Sequence, residues 1–323
     1  MTAWIGIDIG GTNIVCGVID AQGTLLHKIK QPTEADQGFE HVLAKIGELV
    51  RLTTAAAGST QAELGGIGIG TPGLVDPDAG ISLLSSNLKW ENIPLAARVA
   101  ALTGLPVAVD NDVRMYIYGE ATQGSGRGER HVLGVTVGTG LASALIVDGK
   151  PYYGGGFMAG ELGHIQFPEL PYLCGCGGTG CLETAVSATG MVRQTRDKLR
   201  AGQPSQLSRW ATTLDGQPGL TAAHISQAYD EGDAVAREVF QFTAHMLARG
   251  LADAIAILSP DVVVIGGGVA QAGERLLAPL RAELERLLLP HYWRRIRIVA
   301  AELLDDAGVI GSAMQAKAKY GAH

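Results

Sequence analysis

Positive charge is scarce in this chain of 323 residues: 25 lysines and arginines stand against 32 acidic residues, for a formal net charge of −7. A nucleic-acid surface needs clustered positive charge, so no nucleic-acid partner is expected. The one basic cluster, Arg294-Arg295-x-Arg297, reads as a solvated strand end. Aromatic residues make up only 5% of the chain, which leaves few platforms for stacking bases. No apolar run reaches the roughly 18 residues that a bilayer-spanning helix needs. A cationic start followed by an apolar signal core is also missing, because Asp8 interrupts the first apolar run. No membrane partner is therefore expected, and the expected location is the cytoplasm. The phosphate-loop pattern Gly-x4-Gly-Lys-Ser/Thr occurs nowhere. Cysteine is limited to four residues, three of them close together, which fits a reducing compartment better than a disulfide scaffold.

What is present in excess is glycine, at 45 residues, so many turns or close backbone approaches are required. A hydrophobic fraction of 46% is that of an ordinary globular protein of one large or two moderate domains.

The densest chemistry lies between Gly160 and Glu183. Cys174-x-Cys176-x4-Cys181 is interrupted by glycines, and His164 stands ten positions before the first thiol. Three thiols and one imidazole are the borderline-soft ligand set that tetrahedral zinc takes. Four protein ligands leave no open position for water, so such a zinc would be structural. Glu161 and Glu183 flank the cluster, which suggests a metal that fixes a loop so that it aims carboxylates. The alternative is a set of buried cysteines beside an unrelated histidine.

In chain order, the strand Trp4–Ile7 runs into Asp8-Ile9-Gly10-Gly11-Thr12-Asn13, and a second strand follows from Ile14 to Ile19. This is a β-hairpin with a bare backbone at its tip, where exposed amides can form an anion-binding concavity. A second copy runs from Val132 through Gly138-Thr139-Gly140 to Val147. Sliding the first by 128 residues without a gap superposes Gly6 on Gly134, Gly10 on Gly138 and Asp20 on Asp148. Two strand–glycine–strand units at a fixed offset indicate a duplicated domain. Two such hairpins facing each other would grip a polyphosphate, an arrangement that resembles the actin/hexokinase superfamily.

Between the hairpins, Phe39 to Leu49 has helical periodicity, and the buried strand Ile67–Gly70 ends at Thr71-Pro72-Gly73. Ser85 to Trp90, which contains Asn87, is a polar loop with no message of its own. The strand Val107–Val109 runs into Asp110-Asn111-Asp112 and a helix to Thr122. Asn111 or Asp112 suits a helix N-cap, and Asp112 is equally a carboxylate at a strand end placed to abstract a proton. The residues alone leave both readings open. Asp112 would need no shift from its ordinary ionisation near pH 4 to serve as a base. A helix is predicted from Thr184 to Leu199, a polar connector over 201–220, and a long helix from Ala234 to Leu258. The strand Asp261–Ile265 ends in Gly266-Gly267-Gly268, a helix is predicted over Arg281–Leu288, and a closing helix runs from Val309 to Lys319.

Taken together, Asp8-x-Gly10-Gly11-Thr12, Gly138-Thr139-Gly140, Gly160-Glu161-Leu162-Gly163-His164, Cys174-x-Cys176-Gly177-x2-Gly180-Cys181-x-Glu183 and Gly266-Gly267-Gly268 closely resemble the ROK family of bacterial sugar kinases. The resemblance covers nearly the whole chain. It implies a two-lobed α/β fold of the actin-like, hexokinase (ribonuclease H-like) type, with duplicated βββαβα domains and a cleft between the lobes. The expected lobes are 1–122, with 307–323 packing back, and 123–306. It further implies that Asp112 is the general base in ATP-dependent phosphorylation of a hexose. Sugar contacts would map to Gly73, Asn87, Asn111, Asp112, Glu161, His164 and Glu183. The ATP phosphates would lie on Gly10, Gly11, Thr12, Asn13, Gly138, Thr139 and Gly140, with Asp8 helping to place Mg²⁺. Gly266, Gly267 and Gly268 would line the nucleoside site, and His164, Cys174, Cys176 and Cys181 would hold a structural Zn²⁺. A homodimer is the expected assembly.

Two positions depart from the family pattern. Gly140 is followed by Leu141-Ala142-Ser143 instead of further glycines, which is expected to tighten the space beside the phosphates. Asn13 stands where many members have lysine. Glucose is the expected substrate on the resemblance, with N-acetylmannosamine, N-acetylglucosamine, fructose, mannose and allose as alternatives. Relatives that are sugar-responsive repressors carry a helix-turn-helix domain before the first motif, and Asp8 lies at the start of this sequence, so a regulator is not the expected reading.

Overall fold

In this computed structural model the described residues are 2–211 and 219–321. The chain divides into two compact units. The first is Met1–Arg130, Ala144–Ala159 and Glu302–His323, and the second is His131–Ser143 and Gly160–Ala301. The segment 144–159, read from the sequence as part of the later lobe, thus belongs to the first unit. The physical reason is polar anchoring: Tyr153 donates its hydroxyl to Asp110, and the Phe157 carbonyl accepts from Arg114.

The first unit is built on a five-stranded sheet of order β3-β2-β1-β4-β8. β1 (Ala3–Ile9), β2 (Asn13–Ile19) and β3 (Leu25–Pro32) form an antiparallel meander, while β4 (Leu64–Thr71) and β8 (Val107–Asn111) continue the sheet in parallel. β1 is buried almost throughout, whereas the edge strand β3 alternates half-buried and exposed positions. One face of β1 presents Ile5, Ile7 and Ile9 to a core that includes Val42, Ile46 and Leu49 of the helix Phe39–Ala56. A small antiparallel sheet of β5 (Leu74–Asp76), β6 (Ile81–Ser85) and β7 (Trp90–Ile93) is inserted before β8. The sequence reading missed β3, which is nowhere fully buried, and the short strands of this insert, because partly exposed strands carry little apolar periodicity.

The second five-stranded sheet has the order β11-β10-β9-β12-β13. Its strands are β9 (His131–Val137), β10 (Leu141–Val147), β11 (Lys150–Pro151), β12 (Val262–Gly266) and β13 (Arg297–Ala300). The duplication read from the sequence is present in the strand limits: adding 128 to those of β1 and β2 gives those of β9 and β10. β12 lies parallel to β9 as β4 lies parallel to β1, and β13 extends the sheet as β8 does. The helix Ala234–Leu258 forms as predicted. The helix expected over Thr184–Leu199 is instead two, Glu183–Val186 and Ala188–Arg200. Extended Ser187 breaks it and caps the second helix by accepting from Gly190 N–H at 3.2 Å. The helix predicted over Arg281–Leu288 begins earlier, at Glu274, and accommodates Pro279. Part of the predicted connector over 201–220 lies outside the described residues.

Helix Ala307–Tyr320 lies against the second face of the first sheet at backbone contact. A methyl group on Gly6 would sit 1.8 Å from the Val309 carbonyl oxygen, and one on Gly68 would sit 1.7 Å from that of Ser312. The two glycines face each other in register across β1 and β4, so together they make the seat for the helix. Gly68→Ala should therefore cost about 3 kcal/mol or more in urea unfolding, because backbone, not a flexible side chain, must move. Gly155→Ala, where nothing lies within 4 Å of the added carbon, is the matched control and should be near neutral. Equal effects at both positions would refute the seat.

Candidate active site

In the first unit the groups of interest sit at the ends of β1, β4 and β8. β8 ends at Asn111, and the helix Asp112–Thr122 starts at once. The cap is Asn111: its Oδ1 accepts from Arg114 N–H at 3.1 Å, and its Nδ2 donates to the Gly73 carbonyl at 3.0 Å. Asp112 is the first helical residue, and its Oδ1 accepts from the N–H of Val113 at 2.9 Å. Of the two readings of this pair, capping belongs to Asn111, so the Asp112 carboxylate is not needed to start the helix.

Asp112 does not keep an ordinary carboxylate pKa, contrary to the sequence expectation. Burial raises it, while the Val113 amide, Arg114 and Asn111 pull it down in part. Asp8, on β1, feels its charge: burial and the Asp112 carboxylate together push Asp8 up to about 7, against the pull of Lys30. Two half-buried carboxylates that resist ionising together suit a cation.

Beneath this turn lies a network that sequence reading missed. Asp110 is fully buried and pairs with Arg114 Nε at 2.7 Å. Its other oxygen accepts from Tyr153 Oη at 2.9 Å and from Gln315 Nε2 at 2.8 Å. Both Asp110 oxygens are supplied with donors, which makes a buried ion pair tolerable, and removing Arg114 would leave an uncompensated charge. The i,i+4 spacing of Asp110 and Arg114 was the only signal in the sequence.

The first hairpin tip exposes Gly11 and Thr12. Thr33, another residue missed from sequence, holds its carbonyls inward. Its hydroxyl donates to Gly10 O at 2.7 Å and its N–H to Thr12 O at 2.9 Å. Asn87 lies alongside, since a methyl group on Gly11 would come within 3.5 Å of its Cβ.

In the second unit, the other hairpin is held the same way. Gly138 O accepts from Ala188 N–H at 2.8 Å, and Thr139 O accepts from the Thr189 hydroxyl at 3.0 Å. With their carbonyls tied back, both tips present amide edges, the backbone arrangement that binds anions. Leu141 and Ser143, expected to crowd the phosphates, are buried side chains of β10. The glycine triplet packs over the end of β9: Gly267 has φ +86°, and a methyl group there would meet the Val137 carbonyl oxygen at 2.6 Å. Gly268 borders a pocket of about 390 Å³ together with Met191, Phe240, Val269 and Gln271.

The ligand atoms of His164, Cys174, Cys176 and Cys181 all lie within 4.8 Å of one another. The Cys176 and Cys181 sulfurs are 3.6 Å apart, and Cys174 Sγ is 3.8 Å from His164 Nδ1. A tetrahedron with bonds of about 2.3 Å has edges of about 3.8 Å, so the spacing and donor set fit zinc. Burial and the two neighbouring sulfurs push Cys181 up to about 12, a repulsion that a dication would relieve. Glu183 braces this cluster against the hairpin: Oε2 accepts from Leu141 N–H at 2.9 Å, and Oε1 lies 3.5 Å from Cys174 Sγ. Glu161 is exposed and has His164 Nε2 at 3.7 Å.

With this geometry in hand, comparison with known proteins is decisive. The ROK family model matches residues 4–319. The chain belongs to the ROK family. A glucokinase of Halalkalibacterium halodurans is 35% identical over 309 residues, 95% of this chain and 93% of that one. The N-acetyl-D-glucosamine kinase of Escherichia coli is 31% identical over 320 residues, covering 96% and 98% of the two chains. Among solved structures, a ROK glucokinase from Streptomyces griseus in complex with glucose and AMPPNP has a TM-score of 0.79 at 34% identity, covering 98% of this chain and 99% of its own. The fold is the actin-like, hexokinase-type α/β fold of this family.

The raised pKa of Asp8 has a consequence for stability. The unfolded aspartate ionises near 3.8 and the folded one near about 7, so stability is lost as pH rises between those values and the loss is complete above them. Asp8→Asn is uncharged throughout and escapes that loss. In buffer containing a chelator, its Tm should exceed that of the parent by more at pH 8 than at pH 5. The same gap at both pH values would mean that Asp8 titrates normally.

Proposed function

We propose that this ROK protein transfers the terminal phosphoryl group of ATP to a hexose, with glucose as substrate and its 6-hydroxyl as acceptor. The end-to-end similarity to glucokinases supports the overall reading. The observation that carries the chemistry is the Asp112 carboxylate, at a rigid strand–helix junction whose capping is done by Asn111. A primary hydroxyl is a poor nucleophile at neutral pH, and a carboxylate within reach takes its proton as the phosphoryl group arrives. Transfer is in line and dominated by positioning and charge neutralisation.

In this reading Asn111, Gly73, Asn87, Glu161, His164 and Glu183 orient the sugar hydroxyls. Gly11 to Asn13, and Thr139 with Gly140, offer their amide edges to the phosphates, Gly10 and Gly138 N–H close the two turns, and Gly266 to Gly268 line the nucleoside pocket. The raised pKa of Asp8 fits an oxygen ligand awaiting a hard cation, so Asp8 would hold Mg²⁺, which when bound neutralises phosphate charge. His164, Cys174, Cys176 and Cys181 would hold one structural zinc that stiffens the loop between Glu161 and Glu183. The lobes are proposed to meet at a cleft, and the protein to act as a cytoplasmic homodimer. The likeness to an N-acetyl-D-glucosamine kinase favours one second reading, an N-acylated hexosamine as acceptor.

Coupled kinase assays across hexoses, run on the parent and Asp112→Asn, test the proposal together. Glucose should give the highest kcat/KM; an advantage of about tenfold for another sugar, about 1.4 kcal/mol, would move the substrate but not the reaction class. Asp112→Asn should bind sugar within a few-fold of the parent by calorimetry while kcat falls roughly 10²–10⁴. Retention of more than about a tenth of kcat would remove Asp112 as base.

Elemental analysis of protein purified without added metal should find about one zinc per chain, lost in Cys176→Ala together with sugar affinity. Folded, active protein with negligible zinc would overturn the metal assignment.

A further inference from the structure

The second unit carries a groove that starts at the tip residue Thr139 and whose arginines the roles above leave unused. It encloses about 530 Å³ and is lined by Thr139, Thr189, Arg193, Arg196, Arg200 and Thr221, among others. Three guanidinium groups in one groove are notable in a chain of net charge −7. The helix Ala188–Arg200 places them three and four positions apart, along one face. Asp197 also lines the groove, but its carboxylate accepts from Tyr172 Oη at 3.0 Å and lies 3.6 Å from Arg200. Arg200 is thereby compensated, and Arg193 and Arg196 supply the net positive charge.

Arg193 is held rigidly, its guanidinium 4.9 Å from the centre of the Tyr172 ring. Its Nη1 is shut off from solvent and, among the described residues, has no hydrogen-bond partner. A buried donor without an acceptor is uncommon and calls for an explanation. The exposed tip residue Thr139 forms part of the same lining, tied to Thr189 at the start of the helix, where the helix dipole is positive. By contrast, the pocket beside Gly268 has its one arginine, Arg275, paired with Asp230 at 2.7 Å. That pocket suits an uncharged nucleoside, and the groove suits an anion.

We propose that this groove receives the phosphoanhydride chain of the phosphoryl donor, with Arg193 and Arg196 as its anion-binding residues. The inference rests on the kinase reading and extends it to donor recognition. The chemistry is shared by the tail of a nucleoside triphosphate and by a linear inorganic polyphosphate. Guanidinium forks bind phosphate oxygens in bidentate fashion, so replacing either arginine removes charge-assisted bonds to the donor and none to the sugar.

The test is steady-state kinetics on the full-length protein, its Arg193→Met, Arg196→Met and Arg196→Lys variants, with sodium tripolyphosphate as inhibitor. Each Met variant should raise KM for ATP about tenfold or more while KM for sugar stays within about twofold. Arg196→Lys should recover part of the loss. Tripolyphosphate should compete with ATP in the parent and lose potency in both Met variants. A raised KM for ATP without inhibition of the parent supports the groove and assigns it to the nucleotide tail alone. Unchanged KM for ATP and unchanged inhibition, in variants that melt within a few degrees of the parent, overturn the proposal. If the parent shows no ATP-dependent turnover, the kinase reading fails first. Calorimetric titration of tripolyphosphate into the same proteins then decides the groove separately, with equal affinity in parent and variants overturning it.

Discussion

Backbone contact between the helix Ala307–Tyr320 and the first sheet is the constraint on which the catalytic side of this molecule rests. The helix comes from the far end of the chain, yet at Gly6 and Gly68 its backbone lies directly against that of β1 and β4. It reaches the helix Asp112–Thr122 equally closely, since a methyl group on Gly311 would sit 1.8 Å from the Met115 carbonyl. Gln315, on the same helix, donates to Asp110. One helix thus braces the strand that carries Asp8 and the turn that carries Asn111 and Asp112. The abundance of glycine in the sequence is explained here by close packing as much as by turns.

The two hairpins show how one local design is used twice. In each, a threonine from a later segment bonds a tip carbonyl, Thr33 at Gly10 and Thr189 at Thr139. The amide edges are then available without help from a lysine, which makes the presence of Asn13 in the first loop understandable. After Gly140, Leu141 and Ser143 are buried residues of a strand and Ala142 between them is half-buried, and Leu141 N–H is where Glu183 anchors. That anchor links the cysteine–histidine cluster to the second hairpin through one carboxylate, so the two share a brace.

Electrostatics in the first unit are governed by burial. Asp8 and Asp112 are half-buried, the charge of Asp112 acts on Asp8, and both resist ionisation. Asp110, two residues before Asp112, lies deeper still, but a neighbouring guanidinium, a phenol and an amide satisfy it. The contrast separates a scaffold carboxylate from the two proposed to work in the reaction. The scaffold group is saturated with donors from distant elements, whereas the donors near Asp112 are local, the Val113 amide first among them.

Local chemistry was legible in the sequence alone. The hairpins, their 128-residue repeat, the Cys-x-Cys-x4-Cys cluster with His164, and the Asn111-Asp112 pair are each contained within a few residues of chain or an ungapped offset, so spacing reveals them. The long buried strands and the helix Ala234–Leu258 were legible for the same reason, because apolar periodicity is a local signal. Tertiary structure alone decided which of Asn111 and Asp112 caps the helix, since the answer depends on the Gly73 carbonyl 38 residues away. It also decided that Asp8 has a raised pKa, that Thr33 and Thr189 hold the loops, and that Tyr153 draws 144–159 into the first unit. The pairing of Asp110 with Gln315, 205 residues apart, is of the same kind. Burial and partnership between distant residues set these properties, and a linear spacing rule carries no information about either.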